Sequence, residues 1–158
     1  VSGCSLLQRP SREASGEAFC RPLSAITVSL MEILSALFIE AIETRQVAGP
    51  STRIDITGVQ FSAAASGPVP VTIEPHLCVI VYCPPDSRDN GVLEVVYRRG
   101  EEQLARNVQP LQVEPGKFNY RLVRAELSFD AYGTVEAHCR IDLGPVTVVP
   151  FTLLPPTA

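Results

Sequence analysis

The sequence predicts an all-β fold, a single antiparallel sandwich domain of about eight strands. Three observations carry that expectation. From Thr134 to Leu143 polar and apolar residues alternate without a break, the period of a strand with one buried and one wet face. Turn signals rich in Gly, Pro, Asn and Asp recur roughly every 8–12 residues along the chain. Fourteen prolines and ten glycines in 158 residues supply those turns, and a hydrophobic content of 46% supplies a core.

Residues 1–23 mix Ser, Gly, Pro, Arg and Glu with no sustained period, and 1–30 read as an N-terminal extension, poorly ordered or partly helical. Met31 is the only methionine and a natural start, which would make 1–30 an upstream extension of the reading frame and 31–158 the domain. Residues 24–46 admit two readings. Ile26, Leu30, Ile33, Leu34, Leu37, Phe38, Ala41 and Ile42 fit a helical stripe, yet Ile33 to Ile42 also fits a buried strand. A membrane span is not expected there, because Glu32 and Glu40 would place carboxylates in hydrocarbon.

Beyond the Gly-Pro turn near residue 50, Arg53 to Phe61 alternates, with Gly58 at a phase shift that marks a bulge or kink. Ser62 to Gly67 reads as a loop of small residues, and Val69 to Ile73 as a short extended piece flanked by prolines. Leu77 to Cys83 is apolar on both faces and reads as a central strand. The loop 84–91 follows, with Asn90-Gly91 as turn chemistry. Val92 to Tyr97 and Gln103 to Val108 form a hairpin around Arg99-Gly100. Pro110 to Gly116 is rich in turn residues. Phe118 to Phe129 reads as one long strand whose phase slips near Leu122. In the closing hairpin Val135, Ala137, Cys139, Ile141 and Leu143 point inward, and Thr134, Glu136, His138, Arg140 and Asp142 point outward.

From Met31 onward this layout resembles an uncharacterised family of small bacterial immunoglobulin-like β-sandwich proteins. The passages that carry the resemblance are Leu34 to Ala41, Ile56 to Val59 through Pro68-Val69-Pro70 into Leu77 to Val81, and the hairpin from Tyr132 to Phe151. The resemblance implies an immunoglobulin-like sandwich starting near Met31 and brings no catalytic residues with it.

The net charge of −4 gives no electrostatic reason to expect nucleic acid, whose phosphates call for a basic surface. Five cysteines, with no CxxC spacing, read as buried free thiols in a reducing compartment. A Cys78–Cys139 bridge between two sheets is the alternative. His76 and Cys78 share a strand face and form the one candidate pair for a nucleophile or a metal; two ligands are too few for a structural zinc site. Asp86 to Gly91 has a calcium-loop glycine at the sixth position, but Arg88 occupies a ligand position and Tyr97 the place of the closing Glu. Arg98-Arg99 and Arg121 with Arg124 read as solvated strand faces, with an anion site as the alternative.

No catalytic, cofactor or metal residues are therefore expected. The leading expectation is a non-catalytic domain that binds another macromolecule, another protein, in the cytoplasm. The rival is an enzyme or small-molecule or metal binder with a loop-built site near His76 and Cys78. A further alternative is a lipid-anchored envelope protein, because Val1 to Cys4 matches a lipoprotein cleavage box at Cys4.

Overall fold

The computed structural model describes residues 30–49 and 52–157. The expectations for the extension, including anchoring at Cys4, fall on residues outside that range. The described residues are all-β, with eleven strands rather than about eight. They are β1 (Glu32–Gln46), β2 (Thr52–Gln60), β3 (Ser62–Ala64), β4 (Val71–Ile73), β5 (His76–Tyr82) and β6 (Asn90–Arg99), then β7 (Glu102–Gln112), β8 (Phe118–Arg124), β9 (Leu127–Phe129), β10 (Gly133–Ile141) and β11 (Thr147–Leu154). One sheet has the order β2-β1-β5-β8, the other β3-β11-β10-β6-β7, and β4 pairs with β9 alone.

The two larger sheets meet across a dry core. Ala36, Phe38, Leu77, Val79, Val81 and Val123 come from the first, and Leu93, Val95, Tyr97, Val135, Ala137, Cys139 and Phe151 from the second. Phe38 and Phe151 touch across the gap with ring centroids 5.0 Å apart and planes tilted by 56°.

Residues 32–46 form a strand, so the helical reading of this stretch fails. β1 is hydrogen-bonded on both sides, to β2 and to β5. Its two faces are both apolar. Ala36 and Phe38 face the core, whereas Ile39 shares the opposite face with Cys78, and both are buried there outside the main core. The cover is the hairpin itself. The hydroxyls of Thr44 and Tyr120 lie 3.4 Å apart. Tyr120 shares a row with Ile80 and Ser35, nine residues before Thr44, so a straight β1 would separate them by about 30 Å at ~3.3 Å per residue. The distal half of the β1–β2 hairpin therefore folds back across the outward face of its own sheet. Gly58 sits where it bends, with φ of +63°, and a Cβ there would lie 2.3 Å from Glu40 Oε2. Pairing runs on through Gly58 without a register shift, so it marks a kink and not a bulge.

Other boundaries also moved. Ser62–Ala64, expected as loop, pairs in parallel with β11. The long strand expected over 118–129 is two strands in different sheets. Asn90-Gly91 is not a turn but opens β6, opposite Gln112 and Leu111. The exposed edge of the first sheet is blunted within β8: the Tyr120 N–H donates to Asn119 Oδ1 at 2.8 Å, and Arg121 Nη1 donates to the Tyr120 carbonyl at 3.3 Å.

The closing hairpin keeps its expected register up to Ile141. Val135, Ala137, Cys139 and Ile141 are buried, but Leu143 is 93% exposed. The strand stops because Asp142 adopts φ of +49°, while its N–H donates to the Val92 carbonyl and its Oδ1 accepts from the Val92 N–H at 2.9 Å. Leu143 is thereby turned out of the strand. Replacing Ile141 with Ala should cost about 2–5 kcal/mol in urea unfolding, and replacing Leu143 with Ala should stay within about 0.5 kcal/mol. Equal losses would place both side chains in the core.

Candidate functional site

Because alternate residues of β10 are committed to the core, Glu136, His138 and Arg140 must face outward on the five-stranded sheet. Cross-strand pairing sets their neighbours. Arg140 lies beside Glu94, which lies beside Val108. His138 sits in a row with Arg106, Val96 and Val148, and Glu136 in a row with Gln103, Arg98 and Pro150. The face is thus a grid of charged groups fringed by valines, of which Val92, Val108, Val146 and Val148 are exposed.

Glu94 is the hub of this grid. Its Oε1 accepts from Arg106 Nε at 2.8 Å and lies 2.7 Å from Arg106 Nη2, while its Oε2 is held by Arg140. The hydrogen bonds from Arg106 and then Arg140 hold the Glu94 carboxyl below the usual carboxylate range. His138 Nε2 meets Glu136 Oε2 at 3.0 Å on the same strand. Arg98, Arg106, His138, Arg140 and Val146 join Glu94 in walling a shallow depression of about 300 Å³.

The arginine pairs read as solvated faces are each split between two faces. Arg98 faces outward beside Glu136. Arg99 turns inward, its guanidinium carbon 4.9 Å from the centroid of the Phe129 ring, with Nε and Nη2 buried and unpartnered among the described residues. Arg121 is likewise half-buried, whereas Arg124 is exposed. The Tyr97 hydroxyl is buried without a partner among the described residues, and burial foremost, with Cys139 nearby, pushes its pKa well up.

The structure does not make a reactive pair of His76 and Cys78. They occupy one face of β5, but Cys78 is buried beneath the folded-back hairpin, and burial raises its thiol above the ordinary value, opposite to activation. The sheet-bridging disulfide fails for a related reason. Cys78 faces away from the core, since its neighbours Leu77 and Val79 line the core with Cys139. Cys139 is pushed up to about 12 by burial. Cys83 is also a free, buried thiol, its Sγ 3.4 Å from the Arg88 carbonyl. Within the loop 84–91, Ser87 N–H donates to the Pro84 carbonyl at 3.0 Å, and no cluster of three or more metal-type side chains is found among the described residues. No helix among the described residues is long and apolar enough to cross a membrane. Comparison with protein-family models gives no match, and comparison with curated proteins gives none.

Sequence reasoning found the outward stripe of β10 but missed Glu94 and Arg106. The only available signal was the alternation of Glu94, Val96 and Arg98 with core residues. Which strand lies beside β10 is set by tertiary pairing.

Two outcomes follow from these contacts. The folded-state pKa of Glu94 is lowered, so its ionised form stabilises the fold above its unfolded-state value, and that contribution is lost as pH falls through the folded-state value. The stability gap between wild type and Glu94→Gln in urea unfolding should therefore be widest near neutrality and shrink in acid. A gap independent of pH would remove the ionic account. In denaturant without reductant, Cys78, Cys83 and Cys139 should each take up one equivalent of a thiol reagent. Protection of Cys78 together with Cys139 would establish a bridge instead.

Proposed function

We propose that this chain is a non-catalytic, immunoglobulin-like β-sandwich that binds another protein through the outward face of its five-stranded sheet. The observation that carries the reading is the grid on that face. Charged groups locked by Glu94 are interleaved with exposed valines across four neighbouring strands, β11, β10, β6 and β7, so a partner would meet a preorganised surface with both apolar and directional contacts. The rival site at His76 and Cys78 lacks an accessible thiolate. The edge of β8 has its Tyr120 backbone groups occupied, and the edge strand β7 carries Pro110, which has no N–H to offer, so faces are better suited to recognition than edges.

The order β3-β11-β10-β6-β7, with β3 parallel to β11 and a facing sheet built on β5, supports the immunoglobulin-like reading and the resemblance to the small bacterial sandwich family. The chain departs from that pattern in its free thiols and in the folded-back β1–β2 hairpin. Free buried thiols fit a reducing, cytoplasmic setting.

The test is photo-crosslinking in native cells. A benzophenone amino acid at Val148 or Val108 should give a discrete heavier adduct, and the same group at Arg53 on the other sheet should not. Adducts of equal yield from Arg53, or none from Val148 and Val108, would overturn the assignment of the face.

A further inference from the structure

We propose that the depression on this face is a carboxylate site, which selects an extended acidic segment of the partner protein. The inference rests on the docking face just described and adds the chemistry of what docks there. The chain as a whole carries a net charge of −4. The depression reverses that sign, with Arg98, Arg106 and Arg140 set against the carboxylate of Glu94 in its walls and that of Glu136, beside Arg98 and His138, at its margin. Such a local inversion within an acidic protein attracts an anion only at close range, because physiological salt screens charge beyond about 8 Å.

The arginines are positioned for a second carboxylate. Glu94 engages both Arg106 and Arg140 through Nε and Nη2, which fixes both guanidinium planes. Each guanidinium carries five N–H donors, so each keeps donors that Glu94 does not use. Arg98 makes no ion pair among the described residues. Same-face positions along a strand recur at about 7 Å, and an extended peptide presents alternate side chains at that same spacing. Arg98 lies opposite Glu136 and Arg140 opposite Glu94, two such steps along the sheet, so carboxylates four positions apart on one face of a partner segment can reach Arg98 and Arg140 in turn.

A nucleic acid fits the same positive charge less well. The walls offer Val96 and Val146 but no Phe, Tyr or Trp ring on which a base could stack, and the one imidazole, His138, is tied to Glu136 through Nε2. The overall negative charge also opposes a long polyanion.

The probe is a synthetic peptide alternating Glu and Val, titrated into the isotopically labelled full chain while the arginine Nε–H signals are followed. Analogues with Gln or Lys in place of Glu, and a single-stranded oligonucleotide, are run in parallel. The Glu peptide is expected to shift the Arg98, Arg106 and Arg140 signals saturably, with the shifts reversed by salt. Arg98→Glu should weaken binding roughly tenfold, and Arg53→Glu, on the opposite sheet, should leave it unchanged. Equal shifts from the Gln or Lys peptide would overturn the acidic preference while leaving the docking face intact. Stronger shifts from the oligonucleotide would reassign the site to nucleic acid. Silence of these arginine signals toward the Glu peptide would overturn the carboxylate site, and the docking face itself would still stand or fall on the crosslinking yield at Val148.

Discussion

The closure of two sheets over one dry core is the constraint on which the rest depends. Phe38 and Phe151 meet there, and Val135, Ala137, Cys139 and Ile141 extend the contact along β10. Burial of a Val or Ile side chain is worth roughly 1.5–3 kcal/mol and that of Ala or Cys less, and slipping β10 by one residue would forfeit all four while burying Glu136, His138 and Arg140. The core thus fixes the register of β10, and the register leaves the charged residues no place but the outward face. Core and surface are two sides of one decision about a single strand.

That decision also sets the chemistry of the surface. With His138 opposite Val96 and Arg140 opposite Glu94, the pairing of β10 with β6 brings together charges that are 46 positions apart in sequence. Most surface ion pairs contribute little, because each long side chain must be immobilised for a screened attraction. The grid around Glu94 differs in that one carboxylate, on β6, holds two guanidiniums from the strands on either side of it. Its consequence is to hold in place guanidinium donors that Glu94 itself does not use.

How much of this was legible depended on whether the sequence signal was local. The inward stripe of β10 was readable because one face is dry and the other wet. β1 was ambiguous because both of its faces are covered over Ala36 to Ile39, one by the core and the other by the doubled-back hairpin. Apolar residues on both sides erase the period of two and imitate a helical stripe. Leu143 continued the alternation, yet a turn locked by Asp142 and Val92, partners from different strands, ended β10 first. The break at Ala125-Glu126 carries neither Gly nor Pro, so one strand was read where two exist. The Glu94 hub was invisible for a different reason, since it arises only when β6 lies between β7 and β10.

The central claim is that β10 divides its residues between a sealed core and an open recognition face. A soluble paramagnetic agent added to the labelled protein measures this directly, residue by residue, through the broadening of side-chain signals. The account predicts strong broadening at Glu136, His138 and Arg140 and none at the methyl groups of Val135, Ala137 and Ile141. Uniform protection of both sets would mean that the outward face is already covered, and the reversed alternation would mean that the strand sits one residue out of register.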